Sequence, residues 1–195
     1  MKLLRILPYA RKLLSETIQP GEIVIDATTG NGNDTEFLAE QVGENGHVYA
    51  FDIQQAALDS TFTRLGELNK RVTLILDSHE NVEKYVALEI GGAVFNLGYL
   101  PHSEDLSIVT RPDSTLKAIQ SMIGLLKKGG LIAVSVYDGH EGGHEERDAL
   151  LAYVKTLHQA DVHVVRYELF NQRNNPPFLI LLEKLKDFKI PGQIK

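Results

Sequence analysis

The chain has 195 residues, no cysteine, 43% hydrophobic residues and a formal net charge of −6. That length supports one domain with a real core, and the lack of cysteine excludes disulfides and thiolate metal sites. No run of about 18 apolar residues occurs, so no transmembrane helix or membrane partner is expected, and the acidic balance argues against a broad nucleic-acid footprint.

The N-terminal stretch MKLLRILPYARKLLSETI is basic and apolar. Arg5 and Pro8 interrupt its apolar run and no small-residue cleavage site follows, so it reads as an amphipathic helix within 1–20 rather than a signal peptide. Pro8 then marks a helix start or a kink. Strand-like runs follow at 22–27, 47–52, 71–76, 92–97 and 130–137, alternating with helical patterns at 34–42, 54–68, roughly 80–88 and 113–127. The strands are continuously apolar, as in a parallel sheet covered on both faces. The alternation predicts a doubly wound α/β fold. After a helix at 144–159, strands at 163–170 and 178–185 are separated only by a short linker, so they must form an antiparallel hairpin. Residues 187–195 read as a loose tail. The expectation is one domain over 1–195 in a cytoplasmic protein.

The first strand runs into Asp26-Ala-Thr28-Thr-Gly30-Asn31-Gly32-Asn33-Asp34-Thr35. Glycines at a strand–helix turn let a ligand approach the backbone. A dinucleotide fingerprint needs a small residue where Thr35 stands, and Asp26 and Asp34 would repel a pyrophosphate. S-adenosylmethionine (SAM) carries an ammonium and a sulfonium and no phosphate, so these acids suit it. Asn33 or Asp34 can equally cap the following helix. Asp52, ending the second strand 22 positions after Gly30, can accept hydrogen bonds from a ribose diol, with Gln54 just beyond it. Ser78 and His79, after the third strand, either contact the adenine edge or cap the next helix. These residues form the candidate cofactor site, and the fold with its terminal hairpin resembles the class I SAM-dependent methyltransferases.

His140-Glu-Gly-Gly-His144 matches a zinc-protease pattern whose mechanism requires a helix. Its two central glycines disfavour one by roughly 2 kcal/mol relative to alanine. No metal is expected, and the segment reads as a loop that turns Tyr137 and His140 toward a substrate. Glu145 and Glu146 then open the next helix, favoured by its dipole. Basic residues collect at the two ends: Lys2, Arg5, Arg11 and Lys12, then Lys184, Lys186, Lys189 and Lys195. They are either solvated ends or phosphate contacts.

Together DATTGNGNDT (26–35), FNLGYLP (95–101), SIVTRPDSTLKAI (107–119), YDGHEGGHEE (137–146) and NNPPFLILLEK (174–184) resemble a bacterial family labelled "putative rRNA methylase". That group includes the enzyme that completes 5-methylaminomethyl-2-thiouridine at the tRNA wobble position. The resemblance implies methyl transfer from SAM to the amine of 5-aminomethyl-2-thiouridine, the tRNA anticodon stem-loop as partner, and a homodimer. The segment His102-Ser-Glu-Asp105 departs from the glycine-rich turn expected there. Asn96-Leu97-Gly98-Tyr99 has the spacing of the Asn-Pro-Pro-Tyr motif of methyltransferases acting on exocyclic amines. By that likeness Asn96 accepts from the target nitrogen and Tyr99 stacks on the base, with Leu97, Gly98 and Pro101 shaping the substrate pocket. The competing reading is that Asn96 ties down its own loop and Tyr99 is core. Methylation of rRNA or a small molecule is the alternative activity, and a nicotinamide-dependent oxidoreductase a more distant one.

Overall fold

Strands that are apolar at every position need cover on both faces, and the computed structural model, which describes residues 2–98, 110–139, 142–173 and 176–188, shows that cover. The strands are β1 Ile23–Asp26, β2 His47–Asp52, β3 Val72–Leu76, β4 Ile90–Leu97, β5 Leu126–Val136, β6 Val162–Tyr167 and β7 Phe178–Lys184. They form one sheet in the order β3-β2-β1-β4-β5-β7-β6. The pairs among β1 to β5 are parallel, whereas β7 is antiparallel to both β5 and β6.

Helices α1 (Ile6–Thr17) and α2 (Asn33–Val42) pack on one face, where Leu14, Leu38, Val94 and Ala133 meet. Helix α3 (Gln55–Leu65) lies beside α2. Helices α4 (Pro112–Leu125) and α5 (Gly143–Val154) cover the other face, around Phe95, Ile119, Met122 and Leu150. In α1 the buried Ile6, Ala10 and Leu14 recur every four residues, and Pro8 sits in the first turn, where its missing N–H costs nothing. Because β1 lies between β2 and β4, the chain leaves β1 and β4 toward opposite faces. A crevice opens at their carboxyl ends.

Several boundaries differ from the sequence expectation. The first helix spans only 6–17, since Ile18 is extended. Helix α3 stops at Leu65, where Gly66 takes a positive φ of 51° and a 3-10 helix, Gly66–Arg71, follows. The helix expected at 80–88 is a 3-10 turn, His79–Lys84. There the Asp77 carboxylate accepts from both Asn81 and Tyr85, and the Tyr85 N–H closes on the Val82 carbonyl three residues back. Strand β5 begins earlier than expected, at Leu126 opposite Ile90, and Lys127 to Gly130 bulge out before pairing resumes at Leu131. Helix α5 ends at Val154 rather than 159, as Thr156 folds back onto the Tyr153 carbonyl. Strand β6 ends at Tyr167, opposite Leu179, one residue short of the start of β7 at Phe178. Of the tail, Phe188 packs against the core, while 189–195 lie outside the described residues.

Lys184, at the end of β7, is a buried lysine at 4% exposure. Its Nζ donates to the Leu126 carbonyl at 2.6 Å and to Gly124 in the last turn of α4 at 3.4 Å. A cation there satisfies orphan carbonyls and complements the helix dipole. Lys184→Met, which keeps the stem and removes the donor, is expected to lower stability by about 2 kcal/mol. Urea denaturation checks this, the midpoint falling with an unchanged slope.

Candidate active site

The turn after β1 is built around a buried acid. Asp26 is fully buried; its Oδ2 accepts from Thr35 Oγ1 at 2.7 Å and its Oδ1 from the Thr28 N–H at 3.1 Å. Burial first, and then the charge of Asp34, push its carboxyl from the ordinary 3.8 up to about 7, against the pull of those hydrogen bonds. Gly32 has φ +77°, and a Cβ on it would stand 2.7 Å from Thr61 Oγ1 of α3, so only glycine fits between the turn and that helix. Helix α2 starts at Asn33 with no side-chain cap. The capping role open to Asn33 or Asp34 is therefore not taken, and the Asp34 carboxylate reaches elsewhere.

Asp52 ties the second strand to this turn. Its Oδ2 accepts from the Gly30 N–H at 2.9 Å and its Oδ1 from the Gln54 N–H at 3.0 Å. Each oxygen keeps a further lone pair for a ligand hydroxyl. Burial raises this carboxyl above its ordinary value, and the backbone hydrogen bonds oppose that rise. Ser78 Oγ accepts from the Glu80 N–H at 3.3 Å, so it caps the 3-10 turn. His79 is buried at 8% exposure, with Nδ1 2.9 Å from the Ala27 carbonyl. A carbonyl only accepts, so Nδ1 carries the proton and Nε2 is a bare acceptor, without a partner among the described residues. Burial lowers the His79 pKa, which keeps the ring neutral.

At the end of β4, the Asn96 N–H donates to Thr28 Oγ1 at 2.7 Å and its Nδ2 donates to Asp34 Oδ2 at 2.8 Å. Asn96 Oδ1 is enclosed and without a partner among the described residues, as is the hydroxyl of Ser135, its register neighbour on β5. The next residues are pinned from α5. The Gly98 N–H donates to Thr110 Oγ1 at 3.0 Å, and the Thr110 N–H returns to the Gly98 carbonyl at 3.1 Å. Thr110 Oγ1 and Thr115 Oγ1 each donate to the buried Glu146 carboxylate at 2.6 Å. Glu146 thus does more than favour a helix dipole: it ties two distant segments together. Asp138, just beyond β5, accepts from Arg147 Nη1 at 2.6 Å. Burial and the Asp34 charge raise the Tyr137 hydroxyl above its ordinary pKa.

These groups surround a cavity of about 710 Å³ at the carboxyl ends of the strands. Of the residues singled out from sequence, Thr28, Gly30, Asn31, Asn33, Asp34, Asp52, Gln54, Ser78 and His79 line it, as do Asn96, Leu97, Gly98 and Tyr137. Asp26, Gly32 and Thr35 stand behind the wall and shape it. Tyr99, Pro101 and His140 lie outside the described residues. Gly142 has a positive φ of 79° and α5 starts only at Gly143, so the helix that the zinc-protease pattern requires across both histidines is not formed. Sequence reading missed Leu7 and Arg11 of α1, together with Thr110, Arg111 and Asp138, all of which line the cavity. Asp138 was open to notice as an acid directly after the fifth strand; Arg11 sat hidden within a basic run.

The wall is acidic, with Asp34, Asp52, Asp77, Glu80 and Asp138 against Arg11 and Arg111. That chemistry fits a cationic ligand bearing a diol and an aromatic amine. Asp52 would take the diol of SAM, and the acids around the cavity would face its positive centres.

The chain matches the family described as "Putative rRNA methylase" over residues 48–183. An Arabidopsis thaliana protein named tRNA (mnm(5)s(2)U34)-methyltransferase, chloroplastic, is 35% identical over 187 residues, which cover 90% of this chain and 68% of that one. A crystal structure titled "putative rRNA-methylase" from Clostridium thermocellum superposes with a TM-score of 0.92 at 42% identity, over 95% of this chain and all of the other. A "putative methyltransferase" from Streptococcus mutans in complex with SAH gives 0.86 at 44% identity, over 94% and 99% of the two chains.

The raised carboxyl of Asp26 has a consequence for folding. Its contribution to stability is full below 3.8, where both states are protonated, and is lost as pH rises through about 7, because the folded chain must then bury a charge. Asp26→Asn can keep both hydrogen-bonding positions and abolishes the titration. Relative to this variant, the wild type is expected to lose on the order of a few kcal/mol between about pH 4 and pH 8. Denaturant unfolding across that range is the check, and parallel pH curves would refute it.

Proposed function

The chain belongs to the "putative rRNA methylase" family, and on that premise we propose that it methylates the amine of 5-aminomethyl-2-thiouridine at the tRNA wobble position. The coarser activity is not in question: this is a SAM-dependent methyltransferase with the class I fold. The finer reading draws on the tRNA methyltransferase named above and on one observation at the site, the orientation of Asn96.

SAM supplies an already activated methyl group, so the protein's work is alignment and exclusion of water. An alkylammonium has no lone pair, so the target amine must react in its neutral form. A hydrogen-bond acceptor holds such an amine by its N–H and leaves the lone pair free to point at the methyl carbon. Asn96 Nδ2 faces the Asp34 carboxylate, so Oδ1 is the end left to accept. Oδ1 has no solvent contact here, so the wall beside it must yield slightly before a donor reaches it. Gly98, clamped through Thr110 to Glu146, fixes where the chain leaves the site. Tyr99 follows directly, and the resemblance gives it the stacking role against the base.

Asn96→Ala is expected to cut turnover of aminomethyl-bearing tRNA by about a hundredfold, the size of losing one positioned contact, with little change in SAM affinity. Nucleoside mass spectrometry on tRNA from cells lacking the enzyme reads this directly. Methylation of rRNA in place of tRNA under the same conditions would overturn the substrate assignment.

Asp52→Ala is expected to weaken SAM at least tenfold, by about 2–4 kcal/mol, through the loss of two charge-assisted hydrogen bonds. Calorimetry tests it, and unchanged affinity in a folded variant would remove Asp52 from the cofactor site.

A further inference from the structure

Arg11 belongs by sequence to a basic end of the chain, yet the structure turns it inward. Its Nε donates to Asp34 Oδ1 at 2.7 Å, and its guanidinium lies 5.6 Å from the Phe37 ring centre. The other carboxylate oxygen, Oδ2, accepts from Asn96 Nδ2 at 2.8 Å. A single chain of charge-assisted contacts therefore runs from α1, through the first turn of α2, to the end of β4. All three residues line the cavity.

The two ends of an asparagine amide are nearly identical in shape, and opposite in what they offer. Packing does not choose between them; the neighbouring group does. An ionised carboxylate only accepts, so it draws Nδ2 toward itself and leaves Oδ1 for another donor. A protonated or amide neighbour can donate instead, and Asn96 would then turn round and present its NH₂ to the substrate. An incoming amine needs an acceptor, so that reversal would remove the contact.

We propose that Arg11 is a positioning residue which, by fixing the Asp34 carboxylate through its Oδ1, sets the direction of the Asn96 amide. The proposal rests on the reading of Asn96 given above. The backbone of Asn96 is held separately, by Thr28 Oγ1. Arg11 therefore acts on the polarity of the side chain and not on the position of the turn. Asp26 and Asp34 repel each other, and Asp26 is the member pushed toward the neutral form. Arg11 forms the ion pair with Asp34, its side chain 39% exposed against 12% for the carboxylate.

The test uses an ordering of variants that a merely structural ion pair would not produce. In Asp34→Asn, the single amide oxygen is taken by Arg11 Nε–H, so NH₂ faces Asn96 and the Asn96 amide reverses. Turnover at saturating SAM and tRNA is expected to fall on the order of a hundredfold. Arg11→Leu alone should lower kcat by about fivefold, as for a partly exposed pair. In the Arg11→Leu/Asp34→Asn double variant, the amide introduced in place of Asp34 is free to turn its oxygen back to Asn96. Activity should then recover about tenfold over Asp34→Asn, a coupling of opposite sign to additive damage. A double variant no better than Asp34→Asn overturns the proposal. A raised KM with unchanged kcat in Arg11→Leu also overturns it, since that is the signature of a phosphate contact.

A second readout does not depend on the substrate. The Asn96 side-chain amide protons, assigned by their loss in Asn96→Ala, are followed by NMR in the full chain. Their shifts should move in Asp34→Asn and return toward wild type in the double variant. Shifts unchanged in Asp34→Asn would show that Asp34 does not set the amide. If wild type leaves tRNA unmethylated, or Asn96→Ala turns over normally, the functional reading fails, while the amide signals still decide the polarity.

Discussion

Three carboxylates, Asp26, Asp34 and Asp52, converge on one glycine turn, and the site depends on how their charge is partitioned. Each is answered differently. Asp26 is buried behind the turn and pushed toward neutrality. Asp34 meets Arg11 and Asn96. Asp52 is bound by the amides of Gly30 and Gln54, which lock the loops after β1 and β2 together. The result is a wall that stays acidic toward a cationic cofactor without three bare charges repelling one another inside it.

The opposite rim is organised by a second buried acid. Glu146 accepts from Thr110 and Thr115, and Thr110 exchanges two hydrogen bonds with Gly98. Carboxylate acceptors of this kind make short, strong contacts and hold hydroxyls in one rotamer. The segments on either side of 99–109 are thereby joined at their base, and the helix after β5 is coupled to the end of β4. Alignment of a nucleophile with a methyl group demands this kind of rigidity, because small displacements cost large factors in rate.

The strand–helix alternation and the hairpin were legible in the sequence because continuous apolar runs and a short linker leave few alternatives. The ends of elements were less so. They depend on side-chain contacts that the apolar pattern does not show, such as those of the Asp77 carboxylate with Asn81 and Tyr85 around the His79–Lys84 turn. Much of the cofactor wall was legible for a related reason. In a parallel sheet the ligand-facing positions lie at the carboxyl ends of the strands and in the turns that follow them, so Asp34, Asp52, Ser78 and Asn96 could be found by counting from the apolar runs.

The sequence by itself determined the alternation of strands and helices, the acidic glycine turn, and the family likeness, since each is carried by residues close together along the chain. Tertiary structure alone decided which of those acids faces the ligand and which stands behind it. It also decided that Arg11 turns to Asp34, and that Glu146 holds Thr110 and Thr115. These pairs lie 23, 36 and 31 residues apart. No local pattern encodes a contact across such a span; it exists only once packing has brought helices to the sheet, where burial makes an unpaired charge costly.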